Sequence, residues 1–162
     1  MEYGLRASKM KSVRLADIPD IKHIHDIALE LQGESVYRDV KADPVKFKIW
    51  VAGLIGSKHG RVLVVVDKED IPQGFLLGII DEFFFSKERH ATDMATYIRK
   101  GYRRHAYRLY KTFIEWAKTK PKVFEIAFSQ SSGIGDYDRW CRLMERLGLI
   151  RVGSNYTMRV AK

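Results

Sequence analysis

Between Arg99 and Lys111 the chain carries six basic residues and one histidine, with no acidic residue among them. The run reads Arg99-Lys100-Gly101-Tyr102-Arg103-Arg104-His105-Ala106-Tyr107-Arg108-Leu109-Tyr110-Lys111. Cations at this density suit a ligand that carries phosphate. The flanking residues say where they stand. Met94 to Ile98 reads as the end of a strand, while Ala106, Leu109, Tyr110, Phe113 and Ala117 recur at helical spacing. The basic residues thus fall where a strand passes into a helix N-terminus. Such a junction offers unpaired backbone N–H groups and a partial positive charge, which also favour phosphate.

Composition narrows the class of protein. The 162 residues suit one domain, and an apolar content of 46% argues against wholesale disorder. Residues 1–12 read as a flexible leader and 13–162 as the domain. No apolar run approaches the roughly 20 residues of a membrane span. The N-terminus has charges but no apolar core, so no signal peptide is expected. The single cysteine, Cys141, excludes an intrachain disulfide and leaves no basis for a cysteine zinc site. His23 and His25 are two apart and do not share a helix face, so no metal is expected. These features point to a cytoplasmic protein. The net charge of +9 fits a polyanionic partner, either nucleic acid or a phosphate-bearing cofactor.

The elements that must position the basic junction follow in order. Val13 to Leu15 is a short strand. Asp17 and Pro19 open a helix whose apolar face is Ile21, Ile24, Ile27, Ala28 and Leu31, with Gly33 at its end. Asp43-Pro44 caps a second helix over Val45–Ile55. Strands are expected over Arg61–Val66, Gly74–Ile80 and Thr92–Ile98, as an antiparallel meander. Phe83, Phe84 and Phe85 cannot all face one way; core packing is the expectation, with lining of a pocket or an interface as the alternative. A helix over Ala106–Lys118 buries Leu109, Tyr110, Phe113, Trp116 and Ala117, and Pro121 follows it. Val123–Ser129 is a further strand. Trp140, Leu143, Met144 and Leu147 mark a last helix, closed by Gly148 in a left-handed cap. Leu149–Val152 and Tyr156–Val160 are expected as terminal strands.

This order, the basic junction and the Leu147-Gly148-Leu149 helix end resemble the GNAT N-acetyltransferases. In that family a strand ends in Val-x-Pro-x-Tyr-Arg-Gly-x-Gly-x-Gly/Ala and enters a helix. Ile98 matches the Val, Tyr102-Arg103 the Tyr-Arg pair, and Arg104, Ala106 and Arg108 the small positions; Lys100 stands where the family has Pro. The resemblance covers roughly residues 12–161. It implies an α/β (α+β) fold with a mixed, mostly antiparallel central sheet, helices on both faces, and a splay at the acetyl-CoA site. GNAT-type chains with weak glycine motifs occur in phage and bacterial genomes.

The resemblance also implies site residues. Thr96, Tyr97 and Ile98 would offer backbone groups to the pantetheine arm. The turn from Arg103 through Arg104, His105, Ala106 and Tyr107 to Arg108 would cradle the pyrophosphate with backbone N–H groups. Tyr37 and Arg38, between the first two helices, become acceptor contacts. Many GNAT chains place a catalytic Tyr four residues before the helix-ending Gly; here that position is Met144, so Tyr137 or Tyr156 would supply the acid. Glu82, at a strand end, would be the base. Asp93 has the wrong parity if Thr92, Met94 and Thr96 face the substrate. The leading expectation is an acetyl-CoA-dependent N-acetyltransferase acting on an amine of a small molecule or a protein, as monomer or homodimer. Two alternatives stand beside it. One is a GNAT-like binding or virion-associated structural protein without catalysis. The other is a nucleic-acid-binding module that stacks bases on Tyr102, Tyr107 and Tyr110.

Overall fold

Val62 to Val66 are all buried, so this segment has no face for solvent, and it forms a strand covered on both sides. Around it, a computed structural model describes residues 12–160. The leader expected over 1–12 therefore lies, but for Ser12, outside the described residues. The elements are β1 (Val13–Leu15), α1 (Ile21–Glu34), α2 (Pro44–Gly56), β2 (Gly60–Val66), β3 (Pro72–Glu82), β4 (Arg89–Ile98), α3 (Ala106–Lys118), β5 (Val123–Ala127) and α4 (Tyr137–Arg146). Short 3-10 helices over Ile18–Asp20 and Lys100–His105 lead into α1 and α3.

The sheet order is β1-β2-β3-β4-β5. Neighbours are antiparallel except β4 and β5, which are parallel. Alternate residues of the strands feed two cores. Val62, Val64, Phe75, Leu77 and Tyr97 meet α1 and α2. Leu63, Val65, Leu76, Ala91 and Ile98 meet α3 and α4. This is the mixed, mostly antiparallel sheet with helices on both faces that the sequence implies.

Local chemistry sets the helix ends. The Asp17 side chain accepts from the Ile18 N–H and Asp20 returns the bond, so a capping box starts the segment that leads into α1. Arg14 then ties β1 to this start through Asp20 at 2.7 Å. α1 runs one residue past Gly33. The Asp43 side chain caps α2 by accepting from Lys46 N–H at 3.0 Å. At the end of α4 the Leu149 N–H returns to Met144 and the Gly148 N–H to Glu145, a Schellman closure with Gly148 at φ +87°.

Two expectations are corrected. The three phenylalanines do not enter the core: they form the β3–β4 turn, beyond the reach of the helices, where Phe84 is 99% exposed and the rings stack on one another. The terminal strands do not form either. Residues 149–160 have no regular structure, and Ile150, Val152, Tyr156, Met158 and Val160 are exposed. An ion pair from Arg159 to Asp39 at 2.8 Å holds the tail over the loop after α1 instead of along the sheet.

Candidate active site

The site begins where β4 and β5 part. Their pairing runs from Arg89 and Val123 to Thr92 and Ala127 and then stops, while β4 continues to Ile98. The edge of β4 past Thr92 is therefore unpaired toward β5, and a cleft of about 1090 Å³ opens beside it. One wall is α1 and the loop into α2; the other is α3 and α4.

A β-bulge decides which side chains of β4 point where. Leu77 pairs with Ala95 but Gly78 pairs with Asp93, so Met94 has no partner on β3. The extra residue shifts the alternation by one. Ala91, Asp93, Thr96 and Ile98 share the α3 face, and Ala95 and Tyr97 the α1 face. Met94 is left 54% exposed. The parity argument against Asp93 fails for this reason, since a single-residue insertion cannot be read from a periodic pattern.

Asp93 lines the cleft with one oxygen bonded and one free. Thr96 Oγ1 donates to Oδ2 at 2.6 Å. Oδ1 is enclosed and has no hydrogen-bond partner among the described residues. Burial pushes the carboxyl up to about 6, and the Thr96 bond only partly opposes it. Beside it is Tyr110 of α3. Burial, and after it the Asp93 charge, raise the Tyr110 hydroxyl well above a phenol's usual range, while contact with Trp140 and Thr96 pulls the other way. On the α1 wall, His25 Nε2 and Gln130 Oε1 are likewise enclosed without partners among the described residues. Two loops close this end: Val36 N–H donates to the Ser132 carbonyl at 3.0 Å, and the Tyr37 hydroxyl reaches the Ser131 carbonyl at 3.5 Å.

The residues expected at the cofactor site are partly brought together. Thr96, Tyr97 and Ile98 line the cleft. So do Arg103, Arg104, Ala106 and Tyr107, whereas His105 and Arg108 do not. Arg108 instead reaches the Ser12 hydroxyl at 3.5 Å. The junction is strongly positive: burial first, and then Arg104 and Arg108, hold the His105 imidazole below its usual range. The expected backbone cradle starts in a tight turn. Residues Lys100–His105 wind as a 3-10 helix, with the Tyr102 N–H returned to Arg99 and the Ala106 N–H to Arg103. In this turn Arg103 Nε donates to the Ile98 carbonyl at 3.3 Å and Arg104 Nη1 to the Gly101 carbonyl at 2.7 Å, and both residues line the cleft.

The acceptor and catalytic expectations divide in the same way. Tyr37 lines the cleft and Arg38 does not. Glu82 stands at the far end of β3, exposed and 4.0 Å from Arg89. Tyr137 begins α4 outside the cleft, with its ring stacked on Trp140 and its hydroxyl against Cys141. Tyr156 is 96% exposed on the tail. None of these three enters the cleft. Tyr110, one of the three tyrosines needed as base-stacking platforms, is buried in the core.

The fold recurs in solved structures. An aminoglycoside acetyltransferase from an uncultured soil metagenomic sample superposes with TM-score 0.66 at 16% identity, covering 94% of this chain and 100% of that one. AAC(6')-Iy, solved in complex with the bisubstrate analogue CoA-S-monomethyl-acetylneamine, gives 0.68 at 12% identity over 93% and 97%. An acetyltransferase of Trypanosoma brucei gives 0.65 at 14% identity over 91% and 98%. The fold is the GNAT fold. No protein-family model matches the chain, and no curated protein matches its sequence. The β4–β5 gap is thus the splay of a GNAT sheet. Asp93, Tyr110 and three arginines of α4 that line the cleft (Arg139, Arg142 and Arg146) are the site residues that sequence reading missed. The arginines had a signal: they recur at positions i, i+3 and i+7 of a helix.

Proposed function

We propose that the protein is an acetyl-CoA-dependent N-acetyltransferase. The observation that carries this reading is the enclosed Oδ1 of Asp93, without a partner among the described residues, beside the unpaired edge of β4 in a cleft also lined by arginines. Acyl-CoA use is supported by the fold neighbour solved with a CoA-linked analogue.

In this reading the pantetheine arm adds to the free edge of β4 past Thr92 as a further strand would. Arg103 and Arg104 hold the pyrophosphate through side-chain charge in place of a glycine cradle. The acceptor amine enters between α1 and the loops around Tyr37 and Ser131. Its nitrogen attacks the thioester carbonyl carbon, a C–N bond forms, and the C–S bond breaks. Asp93 Oδ1 takes the proton that the nitrogen loses, directly or through one water, and later returns it to solvent. Free N–H groups of β4 face the developing oxyanion. Tyr110, kept neutral by its burial, donates a hydrogen bond to the departing sulfur, and the thiolate takes its proton from solvent. Enclosed polar atoms without partners among the described residues at His25 and Gln130 favour an amine that carries a second polar group.

Release of free thiol from acetyl-CoA, measured against a panel of small amines and peptides, tests the reading. Wild type should turn over with at least one amine that carries a second polar group, and Asp93→Asn should lose about 100-fold or more of that rate. Equal rates in the two proteins would remove Asp93 from the mechanism.

A further inference from the structure

Five arginines line the cleft: Arg103, Arg104, Arg139, Arg142 and Arg146. None of them is ion-paired among the described residues; outside the cleft Arg14, Arg89, Arg99 and Arg159 are paired, and Arg38, Arg61, Arg108 and Arg151 are not. The acids nearby are otherwise engaged. Asp43 caps α2, Asp136 caps α4 by accepting from the Arg139 N–H at 3.0 Å, and Asp93 is bonded to Thr96. Converging cations without counter-charge raise the local potential and mark an anion site.

The five form two groups. Arg103 and Arg104 belong to the turn before α3. Arg139, Arg142 and Arg146 are a stripe on α4, next to the face that buries Met144 and packs Trp140, Leu143 and Leu147. The stripe meets α3 at Tyr107. The Arg146 guanidinium is 4.9 Å from the Tyr107 ring centroid and the Lys111 ammonium is 5.9 Å from it. A second group of cations therefore gathers at Tyr107, just past Arg103 and Arg104 in the chain. The pyrophosphate of CoA accounts for one of them. CoA carries one further anion, the monoester on the ribose 3′-oxygen, and a planar guanidinium fork matches its oxygens.

We propose that Arg142 and Arg146, one turn apart on α4 with Arg146 over the Tyr107 ring, form a second phosphate site that reads the ribose 3′-phosphate and selects CoA over dephospho-CoA. This inference rests on the acetyl-CoA reading. Arg142 and Arg146 set which cofactor is taken and touch none of the reacting atoms.

Calorimetric titration of the full chain with CoA and with dephospho-CoA, at physiological salt, tests it. Wild type should bind CoA about tenfold tighter or more. The double variant Arg142→Ala/Arg146→Ala should bring the two affinities within about twofold, by weakening CoA while leaving dephospho-CoA unchanged. Arg103→Glu should weaken both ligands by a common factor. Lys122→Ala, a charge loss outside the cleft, should keep the preference and so separate a local contact from a general field. Equal binding of the two ligands by wild type would overturn the inference and leave the cofactor reading standing. So would a double variant that weakens both alike. Failure of wild type to bind either ligand would overturn the cofactor reading, and this inference with it.

Discussion

Asp93 is placed to act as a base at a cost to the fold. An unfolded chain gives up this proton near 3.8, while the folded protein holds it up to about 6. Below both values the proton is bound in either state and the site costs nothing. As pH rises between them the unfolded state ionises first and the native state loses ground, and above 6 the loss is complete. A difference of about two pH units corresponds to roughly 3 kcal/mol. Asp93→Asn, whose amide oxygen still accepts from Thr96, should therefore be more stable than wild type by about that amount at neutral pH. The gain should fade as pH drops from 6 to 4, which denaturant titrations at several pH values would show. Activity should move the opposite way. The wild-type rate should bend near pH 6, and Asp93→Asn should lack both the bend and the rate. Tyr110→Phe keeps the ring in its core and removes only the hydroxyl. It should lower kcat by about tenfold to 100-fold with KM little changed, as expected for a contact made when the sulfur departs.

The elements were largely legible because their signals are periodic or chemical. Asp17 and Asp43-Pro44 announced two helix starts, Gly148 a helix end, and the unbroken run Val62–Val66 a strand buried on both faces. Three features were not legible, each for its own reason. The bulge at Met94 is an insertion without a residue-type signature, so it brings Asp93 onto the same face as Thr96, against the expected parity. The phenylalanine turn is apolar in sequence but lies past the ends of the helices that could cover it. The alternating tail reads as strand, yet its Arg159 finds Asp39 across the molecule. One close approach fixes how α3 meets the sheet. A Cβ on Gly78 would stand 2.1 Å from Phe113 Cε2, and Phe113 is fully buried. Gly78→Ala should therefore lower the stability by about 1–3 kcal/mol, seen as a reduced denaturant midpoint with an unchanged slope.

At the scale of the whole molecule, the sheet, its splay and its charge act together. Parallel pairing of β4 with β5 ends at Thr92, and the cleft that follows is lined by a buried carboxyl and by arginines without ion pairs among the described residues. The basic junction stood out in the sequence as the place for phosphate. It winds as a short 3-10 helix before α3, with Arg103 and Arg104 lining the cleft. The account depends on acetyl-CoA being the ligand of that cleft. The most direct measurement is calorimetric titration of acetyl-CoA into wild type and into Arg103→Glu, at low and at physiological salt. Micromolar binding that weakens with salt and is lost in Arg103→Glu is the predicted result. No binding by wild type, or binding that Arg103→Glu leaves intact, would contradict it.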